Sequence, residues 1–267
     1  MTRSLEVARA HGGTLALAYD DIPAAGPERG PPVLLVHGFA SSRQTNWKAT
    51  GWYRAFAEAA RRGVAFEHPA HPGIDHRGHG ESERSHAAAD YDEGLLARDC
   101  VQVLEACGVA RADVVGYSMG AMVAIRLLLD APSRVDRAVL AGLGRNYLEP
   151  PDFAPAVPDA LLADDPETIA DRGAKAFRLF ADQQKRDRVA LAACWRRPRT
   201  AFDAGGLARI DRPVLVVCGE NDAVTGPPDA LAAAIPGAAV RIIPGRDHMS
   251  AVGDKGTKAA VLAFLAR

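Results

Sequence analysis

Short apolar runs recur along the chain, and each is bounded by glycine, proline or charged residues. Runs of this length and character are typical of strands that are buried on both faces of a sheet. The first twenty residues alternate instead and turn at His11-Gly12-Gly13, which predicts a hairpin. The predicted hairpin strands cover about 5–10 and 14–19, and the predicted buried strands cover 33–36, 113–116, 138–141, 214–218 and 239–243.

Helical segments lie between most of the predicted strands. Their apolar positions indicate helices at about 52–62, 91–107, 119–130, 227–235 and 256–266. Doubly buried strands that alternate with helices are typical of an open parallel sheet with helices on both faces. We therefore predict an α/β fold with a mostly parallel, doubly wound sheet.

One part of the chain breaks this alternation. Residues 144–200 contain no strand-like run, but they contain three helix-like segments, near 158–163, 166–181 and 185–195. We predict a small helical cap at 144–200, inserted after the sixth strand of a core that comprises 1–143 and 201–267. Such an insertion would overhang the carboxyl edge of the sheet, where folds of this class bind ligands.

Composition narrows the classes of function. The 267 residues are 48% hydrophobic and 24% charged, as in ordinary globular proteins, and the formal net charge is −1. A nearly neutral chain lacks the basic field that holds nucleic acid or anionic lipid, so we expect neither nucleic acid nor membrane as a partner. No signal segment or membrane-spanning window is evident, which predicts a cytoplasmic protein. Nothing in the sequence indicates the oligomeric state.

The four cysteines indicate neither redox nor zinc chemistry. Cys100, Cys107, Cys194 and Cys218 form no C-x-x-C pair and are too few for a disulfide framework. Cys100 and Cys107 are seven residues apart on one predicted helix, so they share a face and are expected to pack in the core.

The strongest chemical signal is the sequence Gly116-Tyr117-Ser118-Met119-Gly120. It follows a predicted strand and opens a predicted helix, which is the setting of a nucleophile elbow. The tight turn forces the serine into strained backbone angles, and the two glycines leave space for the helix to pack close. Ser118 is therefore the candidate nucleophile.

A serine hydroxyl needs a general base and a group that orients the base. In elbow-type hydrolases the order along the chain is serine, acid, histidine, and His248 is the only histidine after Ser118. Three carboxylates are candidates for the acid, namely Glu220, Asp222 and Asp247. Asp222 is favoured, because it lies in the loop after a predicted strand. Asp247 adjoins His248 in sequence, and adjacent side chains in an extended loop seldom face each other.

Acyl transfer also needs preorganised donors for the developing oxyanion. The backbone N–H of Met119 is one candidate, because this residue follows the nucleophile. The second candidate is the N–H of Phe39, in the loop His37-Gly38-Phe39 that follows a predicted strand. We interpret His37 as a structural residue of this loop and not as a second base.

Together these motifs resemble the α/β-hydrolase fold superfamily, in particular its serine esterase and haloperoxidase-like branch. The matching stretches are HGF at 37–39, DHRGHGES at 75–82, GYSMG at 116–120, RVDRAVL at 134–140, GEND at 219–222 and GRDHM at 245–249. The resemblance covers most of the predicted core. It implies Ser118 as nucleophile, Asp222 as acid, His248 as base, Phe39 and Met119 as oxyanion donors, and no cofactor or metal. Haloalkane dehalogenases and epoxide hydrolases of this fold use aspartate at the elbow, so the serine argues against both.

One stretch departs from this resemblance. Where the family has a regular strand before the DHRGHGES loop, this sequence has Pro69, Pro72 and Gly73. Proline cannot donate to a central ladder, so we expect a short, bulged or displaced strand at 66–74. Our hypothesis is a local insertion that leaves the catalytic loops intact.

The same region contains a cluster of histidines, His68, His71, His76 and His79. Clustered histidines can bind zinc or nickel. The prolines constrain this loop, and the family motif already accounts for two of the histidines. We therefore expect no physiological metal site.

Several aromatic and basic residues have no assigned substrate role. The aromatic residues suit either a substrate pocket or packing between cap and core. They are Trp47, Trp52, Tyr53, Tyr147, Phe153, Phe177, Phe180 and Trp195. Tyr117 and Met119, beside the nucleophile, are better candidates for pocket walls. The basic runs 185–188 and 195–199 are expected to form solvated cap surface.

The sequence thus predicts a serine hydrolase that cleaves a carboxylic ester, a lactone or a related small-molecule acyl substrate through an acyl-enzyme. The same triad used for carbon–carbon bond hydrolysis or cofactor-free perhydrolysis is the alternative among enzymes. A non-catalytic ligand-binding protein of this fold is the alternative from another class, although nucleophile, base and acid are all present. Fold alone does not fix function, so the substrate claim rests on the resemblance.

Overall fold

A computed structural model describes residues 2–21, 31–61, 73–197 and 204–266. Eight strands of the described chain form one sheet in the order β1-β2-β4-β3-β5-β6-β7-β8. The strands are β1 (Thr2–Ala8), β2 (Thr14–Asp20), β3 (Val33–Val36), β4 (Gly73–Ile74), β5 (Ala112–Tyr117), β6 (Val135–Ala141), β7 (Val214–Gly219) and β8 (Ala239–Ile243). The β1–β2 and β2–β4 pairs are antiparallel and all other neighbours are parallel. The predicted mostly parallel sheet is confirmed.

Ten α-helices occur in the described residues. They are α1 (Trp52–Arg61), α2 (Glu93–Ala106), α3 (Met119–Asp130), α4 (Val157–Leu162), α5 (Arg172–Gln183), α6 (Arg188–Trp195), α7 (Ala204–Leu207), α8 (Asp229–Ala233), α9 (His248–Ala251) and α10 (Lys255–Leu265). A π-helical turn follows β3 at Gln44–Lys48. Among the described helices, none has the length and apolar character needed to cross a membrane.

The central strands are apolar without alternation because both of their faces are covered. In β3, Leu34 and Val36 belong to one hydrophobic cluster, whereas Val33 and Leu35 belong to another. The first cluster includes residues of α2 and α3, and the second includes residues of α1 and α10. The sheet is therefore sandwiched between helices. Cys100 is fully buried in the first cluster and Cys107 packs against it, as predicted.

The fourth strand is short in the part of the chain that the structure describes. Gly73 and Ile74 pair with β2 on one side and with β3 on the other. Residues 62–72 lie outside the described residues, so the expected bulge or insertion there stays a prediction.

Helices α4, α5 and α6 form the helical segment that was expected between β6 and β7. A third hydrophobic cluster joins this segment to the residues after β3 and β5, including Phe39 and Met119. The segment contains no strand within its described residues, 144–197. Its division from the core at 144 and 200 stays a prediction.

One expectation for this segment is wrong at Arg197, although the neighbouring Arg196 is exposed. The basic run at 195–199 was expected to be solvated, but Arg197 is only 5% exposed. Its guanidinium lies 3.4 Å from the carboxylate of Glu93 on α2 and donates to the Cys194 carbonyl at 3.0 Å. Composition showed a basic run, but it could not show that this arginine turns inward toward an acid about a hundred residues earlier in the chain.

Candidate active site

Ser118 lies at the junction between β5 and α3. Its φ is 53° and its ψ is −115°, in the left-handed half of backbone space that L-residues rarely adopt. The strand ends at Tyr117 and the helix begins at Met119, so the whole reversal falls on the serine. This is the strand–turn–helix geometry of a nucleophile elbow.

The two glycines of the motif are required by the space around them. A Cβ on Gly116 would lie 2.3 Å from the carbonyl oxygen of Gly120, and a Cβ on Gly120 would lie 2.0 Å from the carbonyl oxygen of Val36. Real Cβ atoms do not approach backbone this closely. Any larger residue would therefore push α3 away from β3 and β5 and would displace Ser118.

The side chain of His248, the first residue of α9 after β8, meets that of Asp222 in the loop after β7. The His248 Nδ1 lies 2.8 Å from the Asp222 Oδ2. An ionised carboxylate only accepts hydrogen bonds, so Nδ1 donates, and in the neutral ring Nε2 then has the lone pair. This is the tautomer that a general base needs.

Asp222 is held from its other side by the backbone. Its Oδ1 accepts hydrogen bonds from the N–H groups of Val224 at 3.0 Å and Thr225 at 2.9 Å. Burial acts to raise the pKa of Asp222, but the hydrogen bonds and the His248 ring outweigh burial and hold that pKa below its ordinary value. The carboxylate is therefore ionised at neutral pH and fixed in one orientation.

The other two candidate acids have different partners. The Glu220 Oε2 accepts a hydrogen bond from the N–H of Gly245 at 2.7 Å. Asp247 caps α9 by accepting from backbone N–H groups in the first turn of that helix. Of the three carboxylates, the structure thus places Asp222 against the Nδ1 of His248.

Tyr117 contacts the backbone of His248, which the sequence did not predict. Its hydroxyl donates to the carbonyl oxygen of His248, and the two rings lie 5.5 Å apart between centroids. Burial raises the pKa of Tyr117 well above its ordinary value, so the hydroxyl stays a donor. The variable position of a G-x-S-x-G motif gives no signal of a partner 131 residues away.

The predicted oxyanion donors belong to two different loops. Met119 is the first residue of α3, so its N–H has no acceptor inside the helix. The N–H of Phe39 donates to no acceptor in the described part of the chain. Both residues line a cavity that also contains Ser118. The two N–H groups are therefore free to meet a ligand oxygen.

His37 is fully buried beside this loop, and both of its ring nitrogens are engaged. Nε2 accepts a hydrogen bond from the backbone N–H of His76 at 3.1 Å, so Nδ1 bears the proton and donates to the carbonyl of Gly38 at 2.7 Å. Burial, together with the nearby His76 and His79, holds the pKa of His37 well below its ordinary value. His37 is therefore a neutral residue of the loop 37–39, here called the candidate oxyanion loop, with no nitrogen free to act as a base.

The DHRGHGES loop is anchored by two buried ion pairs. Arg77 donates from Nε and Nη2 to both carboxylate oxygens of Asp99, at 2.6 and 2.7 Å, which ties the loop to α2. Asp75 accepts hydrogen bonds from the backbone N–H of Arg43 at 2.7 Å and from its guanidinium, which ties the loop to the segment after β3. Such pairs leave a buried charge when one partner is removed, so both fix the loop strongly.

His76 and His79 of this loop are buried as neutral rings. Burial is the main cause that lowers the pKa of His76 to about 3 and that of His79 to about 4. Among the residues that the structure describes, no three histidine, cysteine or carboxylate side chains converge to hold a metal ion. His68 and His71 lie outside the described residues, so the absence of a metal site stays a prediction.

Two cavities meet at Ser118, and the same three residues, Phe39, Ser118 and Phe177, line both. The first, here called the aromatic cavity, measures about 90 Å³. Its other walls include Met119, Met122, Leu143, Tyr147, Phe153 and Trp195. The second, here called the polar cavity, measures about 320 Å³. Its other walls are mixed: Thr45, Asn46, Gln183, Gln184 and His248 are polar, whereas Tyr117, Phe180, Met249 and Val252 are aromatic or apolar.

The helical segment packs directly on the candidate oxyanion loop. The ring centroid of Phe39 lies 5.0 Å from that of Trp195 and 6.0 Å from that of Phe177. These aromatics therefore serve both uses considered from the sequence, packing and cavity wall. Trp47 and Trp52, by contrast, are fully buried in the core beneath the sheet and line neither cavity.

Comparison with known proteins agrees with this architecture. The Alpha/beta hydrolase family matches residues 33–258, which is most of the chain. A hydrolase of known structure from Pseudomonas aeruginosa PA01 superposes with a TM-score of 0.65 at 26% identity, over 98% of each chain.

Two curated relatives match shorter parts of their own length. The dihydrolipoyllysine-residue acetyltransferase component of the acetoin cleaving system of Pseudomonas putida is 31% identical over 84% of this chain and 60% of the relative. A putative carbamate hydrolase of Variovorax paradoxus is 38% identical over 43% of this chain and 39% of the relative. The chain thus spans less than two thirds of either curated relative.

Proposed function

The chain belongs to the Alpha/beta hydrolase family, and from this membership and the site geometry we propose that it is a serine hydrolase. Its substrate is a carboxylic ester, a lactone or a related acyl compound. The observation that carries the proposal is the shared placement of the candidate triad. Ser118 and His248 line one cavity, and Asp222 contacts the His248 ring at its Nδ1.

Acylation uses the nucleophile and the base together. The Ser118 Oγ attacks the carbonyl carbon while the Nε2 of His248 removes the hydroxyl proton. The substrate carbonyl oxygen becomes an oxyanion, which the N–H groups of Phe39 and Met119 stabilise. The bond to the leaving oxygen then breaks, and His248 returns the proton to that oxygen. Asp222 keeps the imidazole oriented and stabilises its charged form.

Deacylation repeats these steps with water. The Nε2 of His248 removes a proton from a water molecule that attacks the acyl-enzyme, and the proton returns to Ser118 as the ester bond breaks. Carbamates contain a carbonyl that is open to the same attack, so the carbamate hydrolase relative supports the acyl chemistry proposed here.

The proposal is tested by comparing the wild type with Ser118→Ala on p-nitrophenyl esters from acetate to octanoate. We expect turnover by the wild type and a loss of at least about 10⁴-fold in kcat for the variant, because the triad acts as a unit. A fluorophosphonate probe should label the wild type at Ser118 and leave the variant unlabelled.

A well-folded Ser118→Ala protein that still turns over these esters would contradict the proposal. Matched thermal unfolding of the two proteins is the control, since it separates loss of the nucleophile from loss of the fold.

A further inference from the structure

The two cavities beside Ser118 differ in which catalytic group they contain. His248 lines the polar cavity, whereas Met119 lines the aromatic cavity, which His248 does not line. Phe39 contributes to both cavities. The carbonyl under attack therefore sits between a side with the proton donor and a side without it.

The chemistry of acylation fixes which part of a substrate lies on each side. When the tetrahedral intermediate collapses, the carbon–oxygen bond to the leaving group breaks and His248 gives its proton to that oxygen. Proton transfer needs the leaving oxygen within hydrogen-bond reach of the imidazole. The alcohol part must therefore start in the polar cavity, and the acyl part must extend the other way.

We propose that the aromatic cavity binds the acyl group and that the polar cavity binds the alcohol group. This inference rests on the proposed function and specifies its substrate class. The substrate is an ester with a compact apolar acyl group and a larger alcohol that contains hydrogen-bonding groups.

The acyl side is suited to a short apolar chain. Most of its walls are aromatic rings, methionine, leucine and proline, although Asn146, Arg197 and Thr225 also line it, and its volume of about 90 Å³ is the smaller of the two. Met122 lies on α3, four residues after Ser118, and of the two cavities it lines only this one. Its thioether contacts the guanidinium of Arg197, with 3.8 Å between Sδ and Nη2. Met122 is therefore placed to set the length of acyl group that fits.

The alcohol side offers hydrogen-bonding groups from both the core and the helical segment. The Thr45 hydroxyl donates to the Gln184 Oε1 at 3.1 Å, which bridges the segment after β3 to the end of α5. Gln183 lines the same cavity and is exposed. Its amide can both donate to and accept from an alcohol that has further hydroxyl groups.

The acyl assignment is tested by two opposite changes at one residue. Met122→Ala should raise the octanoate-to-butyrate ratio of kcat/KM about tenfold or more, because added methylene groups then fit. Met122→Phe should shift the same ratio the other way. The opposite signs distinguish an effect of pocket size from a general loss of packing, because a loss of packing would lower kcat/KM for both substrates together.

The alcohol assignment is tested by Gln183→Leu with two butyrate esters, p-nitrophenyl butyrate and glycerol monobutyrate. We expect kcat/KM for the glycerol ester to fall about two- to tenfold relative to the p-nitrophenyl ester, as for the loss of one neutral hydrogen bond. The acyl-length ratio should not change in this variant.

These outcomes separate the subsite assignment from the proposed function. Fluorophosphonate labelling of Ser118 reports the nucleophile in every variant. Suppose that labelling persists, that Gln183→Leu changes the octanoate-to-butyrate ratio of kcat/KM, and that the Met122 variants change the preference between the two alcohols. The two subsites would then be reversed, and the assignment would be overturned. Labelling with neither ratio moved would also overturn it. Absence of labelling in the folded wild type would instead reject the proposed function.

Discussion

At the scale of single residues, the candidate triad is most distinctive at its proposed acid. One carboxylate oxygen of Asp222 faces the His248 ring, and the other accepts two backbone N–H groups. Because the lowered pKa keeps this carboxylate ionised, it can only accept, and it imposes one tautomer on the histidine. Asp247 precedes His248 directly, yet it caps a helix instead.

This contrast predicts different results for two equivalent substitutions. Asp222→Asn should lower kcat by about 10⁴-fold, since an amide in this place favours the wrong tautomer of His248. Asp247→Asn should change kcat less than about threefold, because asparagine also caps helices well. Steady-state kinetics of both variants with one p-nitrophenyl ester is the measurement. Equal losses in the two variants would contradict the assignment of the acid.

His37 gives rise to a second prediction at the residue scale, which concerns the Phe39 N–H as the proposed oxyanion donor. The Gly38 carbonyl that accepts from His37 belongs to the same planar peptide group as the Phe39 N–H. The histidine therefore fixes the direction of that N–H without touching substrate, which makes it a positioning residue.

Two isosteric substitutions separate the roles of the His37 nitrogens. His37→Asn keeps a donor near the position of Nδ1, whereas His37→Gln places its amide nearer Nε2. We expect the glutamine variant to lose about 10- to 100-fold in kcat with KM nearly unchanged, which is less than the loss of an oxyanion donor outright. The asparagine variant should retain most of the activity. Wild-type kcat in the glutamine variant would contradict this role.

At the scale of elements, the elbow depends on backbone packing. Gly120→Ala would place a Cβ 2.0 Å from the backbone of β3, whereas a Cβ on Gly253 would meet Thr50 at an ordinary 3.5 Å. We expect Gly120→Ala to lower the free energy of unfolding by about 3 kcal/mol or more and to abolish turnover. Gly253→Ala should do neither. Urea unfolding and ester turnover of the pair check this, and a Gly120→Ala enzyme of normal stability and activity would contradict the elbow packing.

The sequence predicted the strands and helices best, because a strand that is buried on both faces appears as a short continuous apolar run. β3 and β8 begin and end at the predicted residues. In the 144–197 segment, α4 and α6 lie within three residues of their expected bounds, whereas α5 begins at Arg172, six residues later than expected. Long-range side-chain contacts left no such pattern. The contact of Tyr117 with His248, the inward turn of Arg197 and the two cavities arise from residues far apart in sequence.

At the scale of the whole molecule, buried neutral histidines make stability depend on pH. Burial, with the charges of Arg186 and Arg197 adding to it, lowers the pKa of His79 to about 4, and an unfolded histidine titrates near 6.5. Between these values the unfolded state binds more protons than the folded state. Stability from this residue is therefore fully present above about pH 6.5 and is lost as pH falls toward 4.

The size of this effect can be measured by replacing the residue. The free energy of unfolding should fall between pH 7 and pH 5 in both proteins. This fall should be about 2 kcal/mol smaller in His79→Asn than in the wild type. His11 lies exposed in the turn between β1 and β2, so His11→Asn is the matched control and should follow the wild type. Urea unfolding at the two pH values is the measurement. A His79→Asn protein with the wild-type pH dependence would contradict the account.

In the proposed mechanism, Ser118, His248, Phe39 and Met119 converge on one substrate carbonyl. A crystal structure of the wild-type protein after reaction with a fluorophosphonate tests the nucleophile and the two oxyanion donors together. We predict a covalent bond from the Ser118 Oγ to phosphorus and a phosphoryl oxygen about 2.7–3.1 Å from the N–H groups of Phe39 and Met119. A phosphoryl group on another residue, or one whose oxygen points away from both N–H groups, would contradict the claim.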